Sequence, residues 1–236
     1  MDARIQNDDL PPPAGAFKLV IFDCDGVLID SETISCSTVA SIMARHGVAC
    51  EMPEVLSRFL GRSATAVTDH YVRMAKRPLP PEFVHEWRAR LFEAFARDLT
   101  AIEGTRDAIE ALGVPYCLAS SSDEERLELT LRKAALWDLF EGRIFSTTMV
   151  ANGKPAPDVF LLAASAAGVA PHRCLVVEDS VNGITAAKAA GMTAFGFTAG
   201  SHFAVLDQTQ GLLDAGADRI IGSMKELQSR LASQGL

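Results

Sequence analysis

Two aspartates one residue apart, Asp23 and Asp25, stand at the end of an apolar run inside "VIFDCDGVLIDSE", Val20 to Glu32. Like charges at the end of a hydrophobic strand repel each other and resist desolvation, so a cation or a reaction has to compensate them. Other short apolar runs also end on reactive types. "VPYCLA" is followed by Ser120, "CLVV" is followed by Glu178 and Asp179, and Lys154 lies in the loop "NGKPAPD". If the strands are parallel, these residues converge on one sheet edge as four acids, a hydroxyl and a lysine. Oxygen donors in that number suit a hard divalent cation, Mg²⁺ above all. A magnesium site with open positions beside a lysine and a serine suits a phosphoryl group. One aspartate, ionised near the metal and the lysine, can then attack phosphorus, while the other carries a proton to the leaving oxygen. Gly26 permits the sharp turn that wraps the chain around such a site, and Pro155 restricts the backbone of Lys154 ahead of it.

Each residue alone has a simpler reading. Asp179 or Ser180 could cap the helix that follows, Ser120 to Ser122 could form a strand-to-helix turn, and Lys154 could be a surface loop residue. Folding gives no reason to gather the whole set at one edge.

The elements that must position these residues are legible as an alternation. Strands are expected at Phe17–Phe22, Val114–Ala119, up to Phe145, Cys174–Val177, Thr193–Phe197 and Arg219–Ile221. Helices are expected after Asp123 through Leu136, over Pro157–Ala167 to Gly168, over Val181–Ala190 to Gly191, and after a Ser223/Glu226 capping box. Continuous apolar strands alternating with helices predict an α/β fold with a Rossmann-like parallel sheet covered on both faces. One stretch departs from this: Thr33–His46, Pro53–Leu60, Ser63–Lys76 and Pro81–Arg97 are all helical in pattern, with Phe83, Trp87, Leu91 and Phe95 at helical spacing and read as its core. The chain is therefore expected to divide into a loose tail (1–16), a discontinuous sheet domain (17–30 and 101–236) and an inserted helical bundle (31–100). The bundle would lie over the carboxyl ends of the strands.

Bulk properties exclude several classes. The 236 residues are 48% hydrophobic and carry a formal net charge of −8, without a Lys/Arg stripe, which argues against nucleic acid. No apolar run is long enough for a membrane span, no signal-like segment precedes these runs, and five widely spaced cysteines without a disulfide framework make a reducing cytosol the expected location. Cys24, Cys36, Cys50, Cys117 and Cys174 form no CxxC pair and read as small hydrophobes, with Cys24 turned into the core. The five histidines share no ligand spacing and are read as structural or surface residues. A monomer is the default.

These motifs resemble the haloacid dehalogenase-like hydrolase superfamily, in the helical-cap subclass related to β-phosphoglucomutase. "DCDGVLIDSE", "LASSS", "GKPAPD" and "VVEDSVNGI" stand in the order of its four motifs. The resemblance implies Asp23 as nucleophile through an aspartyl-phosphate and Asp25 as general acid, then base. It implies Ser120 and Lys154 on the phosphoryl group, and Mg²⁺ held by Asp23, Asp179 and the Asp25 backbone carbonyl, with Glu178 outside. The bundle would be a mobile cap. Arg62, in "FLGRSAT", is the candidate for an anionic substrate end, and Ser63, Glu32, Arg90, Ser121 and Asn182 complete the substrate-binding set.

The competing activities divide on the rim. A β-phosphoglucomutase-like mutase has a cap histidine where this chain has Ser35, and a Lys-Asn pair where it has Asp123 and Glu124, whose charges would repel a second phosphate. A dehalogenase does not need Asp25. A receiver-like, non-enzymatic phospho-acceptor module needs neither Asp25 nor a helical insertion. A phosphatase acting on a small phosphomonoester, a sugar or sugar-acid phosphate, is the expectation. The general look of "DCDG", "DSE", "RFLG" and "AIEG" is closest to the 6-phosphogluconate phosphatase-like branch.

Overall fold

The computed structural model describes residues 17–60 and 64–233. The expected tail, Arg62 and Ser63 lie outside the described residues. Six strands form one parallel sheet: β1 (Leu19–Phe22), β2 (Tyr116–Ser120), β3 (Ile144–Ser146), β4 (Cys174–Glu178), β5 (Thr193–Phe197) and β6 (Arg219–Ile221). Their spatial order is β3-β2-β1-β4-β5-β6, the Rossmann order, whose direction of winding reverses between β1 and β4. All four residues of β1 are buried, as a strand covered on both faces requires. β1 pairs Val20 with Tyr116 on one side and with Leu175 on the other.

Between β1 and β2 run the helices α1 (Glu32–Arg45), α2 (Met52–Phe59), α3 (Ala64–Ala75) and α4 (Phe83–Asp98), then the short α5 (Thr105–Glu110). The rest of the helical cover is α6 (Glu124–Lys133), α7 (Trp137–Phe140), α8 (Asp158–Ala166), α9 (Val181–Ala189), α10 (Thr209–Asp214) and α11 (Met224–Ala232). Where the chain leaves for α1, Asp30 N–H donates to Thr100 O at 3.0 Å, and Ile102 N–H donates to Leu28 O at 3.0 Å. Departure and return are thus stitched side by side.

Three apolar clusters hold the molecule. One lies on each face of the sheet, around Phe22 and Phe195 and around Ile21 and Phe160. The third is among α1–α4, around Ile42, Leu56, Tyr71 and Phe83. The apolar stripe of α4 is not all core of the helical segment, as its periodicity suggests. Phe83 belongs to that cluster, whereas Leu91 and Phe95 pack with Val27, Leu28 and Leu118 on the sheet side.

Other boundaries differ for local reasons. The helix expected to reach Leu136 ends at Lys133 because Ala135 takes φ +55. Leu136 N–H then donates back to Leu131 O at 2.8 Å, a left-handed helix end without the glycine that normally announces it. Pro80 and Pro81 form a turn before α4 rather than its first residues, with Phe83 N–H donating to Pro80 O at 3.0 Å. At the last helix Ser223 Oγ accepts from Glu226 N–H at 3.1 Å, while Glu226 accepts from Gly222 N–H rather than from Ser223.

Candidate active site

The strand ends do converge. Ser120 and Glu178 are themselves the last residues of β2 and β4, and Asp23 extends the ladder one residue past β1 by donating its N–H to Val177 O at 2.9 Å. They meet where the winding reverses, the place where open α/β sheets bind ligands. A cleft of about 570 Å³ opens there, walled on the far side by the helical segment. It is lined by Asp23, Asp25, Ser120, Lys154, Glu178 and Asp179 together.

Lys154 is the hinge of the charge arrangement. Its side chain is 2% exposed, and Nζ donates to Asp23 Oδ1 at 2.6 Å, Glu178 Oε1 at 2.8 Å and Ala119 O at 3.0 Å. The other Glu178 oxygen accepts from Ser180 N–H at 2.6 Å and Ser180 Oγ at 2.9 Å, so this carboxylate is held at both ends. Two buried carboxylates hold the Lys154 ammonium charged against the cost of burial. Burial pushes Asp23 up to about 7, because the lysine only partly offsets desolvation and the neighbouring acids. Asp179 is raised for the same reason, by burial first and then by Glu178.

Asp25 faces the opposite way. Its Oδ1 accepts from Ser31 Oγ at 2.5 Å and Arg126 Nη2 at 2.6 Å, and its Oδ2 from Ser122 Oγ at 2.6 Å. Burial alone would raise this carboxyl, but the guanidinium and the two hydroxyls hold it below its usual value. Two acids two positions apart thus have different partners, Asp23 on Lys154 beside Glu178 and Asp25 on Arg126 and two serine hydroxyls.

Asp23, Glu178 and Asp179 each present an oxygen within 4.8 Å of the others, and all three are buried. Asp179 Oδ2 is buried without a hydrogen-bond partner, 3.3 Å from the ring nitrogen Nε2 of His202. Gly26, at φ +75, leaves that oxygen its room, since a Cβ there would come within 1.8 Å of it. An all-carboxylate donor set, an orphaned buried oxygen and crowded negative charge fit a hard divalent cation. The Asp25 side chain is not in this group, because its oxygens are turned to Arg126 and the serines.

The remaining candidates divide. Ser120 Oγ is buried and accepts from Ser122 N–H at 3.1 Å. Ser121, Asn182 and Glu32 line the cleft, and burial pushes Glu32 up to about 8, with Asp25 adding to the effect. Arg90 does not reach it: its Nε is bonded to Glu86 at 3.2 Å, and its side chain lines a separate surface groove between α1 and α4. Residues that sequence reasoning passed over are Arg126, Ser31, Ser122 and His202. His202 is not at the surface: burial lowers its imidazole to about 4, and it lies 3.3 Å from Asp179. The cysteines behave as small apolar groups; Cys24 is fully buried in the core, and Cys50 is the half-buried one among them.

Known proteins share this frame. The profile of the haloacid dehalogenase-like hydrolases matches residues 17–191. The chain is 32% identical over 190 residues to the 6-phosphogluconate phosphatase of Escherichia coli (strain K12), spanning 78% of this chain and 84% of that one. A hydrolase structure of the same family from Deinococcus radiodurans, with bound phosphate and sodium, superposes with TM-score 0.78 at 35% identity, over 94% of this chain and 97% of the other. A putative β-phosphoglucomutase from Thermotoga maritima superposes with TM-score 0.74 at 26% identity, over 92% and 99%. With the four motifs gathered at one edge of a Rossmann-order sheet, three at strand ends and one in the loop of Lys154, the chain belongs to the haloacid dehalogenase-like hydrolase family and stands among its phosphohydrolases.

Proposed function

We propose that the protein is a Mg²⁺-dependent cytoplasmic phosphatase that hydrolyses a small phosphomonoester, a sugar or sugar-acid phosphate, through an aspartyl-phosphate on Asp23. The observation that carries the reading is geometric: Asp23 lies against Lys154 within the Asp23/Glu178/Asp179 carboxyl group, and Asp25, in the same cleft, is turned away from that group onto Arg126. In the first half-reaction an Asp23 oxygen bonds to phosphorus as the ester bond breaks, and Asp25 gives a proton to the leaving oxygen. In the second, water attacks the aspartyl-phosphate, Asp25 takes its proton, and the Asp23–phosphorus bond breaks to release inorganic phosphate. Lys154 and Ser120 hold the phosphoryl oxygens. Asp23 and Asp179, with the Asp25 carbonyl, would hold Mg²⁺ and Glu178 would lie outside it. A bound Mg²⁺ supplies positive charge that offsets the crowded carboxylates and polarises the phosphoryl group.

Residues 31–100 act in this reading as the cap over a discontinuous core of 17–30 and 101–236, excluding bulk water from the phosphoryl group. Ser121, Asn182 and Glu32 meet the rest of the substrate, with Arg62 and Ser63 as further cap contacts. The similarity to the 6-phosphogluconate phosphatase supports a phosphorylated carbohydrate. The mutase alternative is weakened at two points. Ser35 faces Arg126 Nη2 at 3.3 Å and offers no base, and Asp123, bonded to Arg88 Nη1 at 2.9 Å, offers no phosphate site. The Asp25 arrangement and the walled cleft likewise favour an enzyme over a receiver-like module.

The test is phosphate release over a panel of sugar and sugar-acid phosphates, with the isomerised product assayed in parallel. Release that requires Mg²⁺ and falls by at least about 10³-fold in Asp23→Asn is expected. Full turnover in that variant, or isomerised sugar phosphate as the main product, overturns the proposal.

A further inference from the structure

Arg126 has no task in the phosphoryl chemistry above, yet it sits against the proton-carrying aspartate. It lies in the first turn of α6, where its N–H donates to the capping Asp123 Oδ1 at 2.9 Å. From that turn Nη2 reaches Asp25 Oδ1 at 2.6 Å and Ser35 Oγ at 3.3 Å, and the guanidinium lies 5.1 Å from the centre of the Phe95 ring. Ser35 belongs to α1 and Phe95 to α4. One side chain rooted on the sheet side therefore touches Asp25 and two helices of the inserted segment at once. Arg88 of α4 fastens the same turn, donating to Asp123 Oδ2 at 2.9 Å and to Glu125 Oε2 at 2.6 Å.

Stability is a poor explanation for this pair. Desolvating an arginine and a carboxylate together seldom gains over apolar packing of similar volume. Here the guanidinium also keeps Nε buried without a partner, a further cost. What a planar guanidinium supplies that a hydroxyl does not is a fixed direction. Ser31 and Ser122 can rotate to follow Asp25, whereas Arg126, stacked on Phe95, can follow it only if α4 moves too.

We propose that Arg126 is a positioning residue for Asp25. It fixes the orientation of the Asp25 carboxyl for proton transfer to the leaving oxygen, a gain in direction set against the guanidinium's preference for the ionised carboxylate, and it does so only while α1 and α4 are seated against α6. Proton delivery is thereby tied to the position of the helical segment. The proposal rests on the phosphatase reading.

The experiment is kcat/KM at saturating Mg²⁺ for a series of phosphomonoesters, from alkyl phosphates with poor leaving groups to nitrophenyl phosphate with a good one. Poor leaving groups need the proton and good ones do not. Arg126→Met is expected to lose roughly 10–100-fold on alkyl phosphates and less than about 3-fold on nitrophenyl phosphate. Arg126→Lys should recover part of the alkyl loss, and Ser35→Ala, which leaves Asp25 its three donors, should show a smaller loss of the same selectivity. An equal loss across the series in folded Arg126→Met, no loss, or a gain on alkyl phosphates (the result if the guanidinium mainly keeps Asp25 ionised) overturns the proposal. If Arg126→Met does not fold, an unchanged leaving-group dependence in Arg126→Lys overturns it. Asp25→Asn separates the two claims. Leaving-group selectivity in that variant, without any in the Arg126 variants, removes this inference and keeps the phosphatase reading. No phosphate release by the wild type from any ester removes both.

Discussion

Glu32 is a carboxyl at the first residue of α1 that burial pushes up to about 8, with Asp25 adding repulsion. An acid whose folded value lies above its unfolded one costs stability once ionised. The cost is absent below about 4.5, grows as pH rises through the interval, and is complete above about 8. Glu32→Gln removes it. In the presence of a chelator the variant should gain roughly 2–4 kcal/mol over wild type at pH 8.5 and little at pH 4.5, read from urea unfolding. An equal effect at both values would show that the folded protein does not raise Glu32. At this scale the sequence discloses what ends a strand: Asp23, Ser120, Glu178 and Asp179 follow from apolar runs, and Lys154 from its motif. It does not disclose Asp25's partners. Arg126 and Ser122 lie 101 and 97 residues from Asp25, and neither breaks the helical or turn pattern of its own neighbourhood. His202 is hidden for the same reason, since only the fold brings it to Asp179.

Among the elements, α4 bears the most consequence, because its two halves belong to different cores. Phe95 is fully buried with Val27, Leu28 and Leu118, and it also carries the Arg126 guanidinium. Phe95→Ala should therefore destabilise the protein by about 3–5 kcal/mol and lower turnover more than Phe83→Ala, which empties a site in the other cluster. Thermal unfolding and kcat of the two variants, compared side by side, check this; equal turnover in both would separate α4 from the site. The turn after β1 is the second sensitive element. A Cβ on Gly26 collides with the Asp179 carboxylate, so Gly26→Ala should weaken Mg²⁺ binding, measured by calorimetry, by at least about 10-fold. Undiminished affinity would place the metal elsewhere. Strand–helix alternation is legible because each strand is built on a short apolar run and the longer helices between them carry caps and stripes. The split allegiance of α4 is not, because a helical stripe tells which face is buried and not what it is buried against. Ala135 hid the end of α6 in a similar way, by taking a left-handed conformation without a glycine to mark it.

For the molecule as a whole, the site is a place where folding gathers three buried carboxyl groups around a single lysine at the reversal of a Rossmann-order sheet. A ligand that binds only the folded state stabilises it by mass action, so Mg²⁺ at about 100 times its dissociation constant should add about 2.7 kcal/mol. That gain should vanish in Asp179→Asn, with Tm under chelator and under Mg²⁺ as the readout. Retention of the full gain would take Asp179 out of the metal site. No helix among the described residues is long and apolar enough to cross a membrane. Covalent transfer of the phosphoryl group to Asp23 is tested most directly by rapid acid quench during turnover of a substrate carrying a labelled phosphoryl group, followed by peptide mapping. Label is expected on the peptide containing Asp23, dependent on Mg²⁺ and absent from Asp23→Asn. Turnover with no labelled peptide at any quench time, or label on a peptide without Asp23, would contradict it.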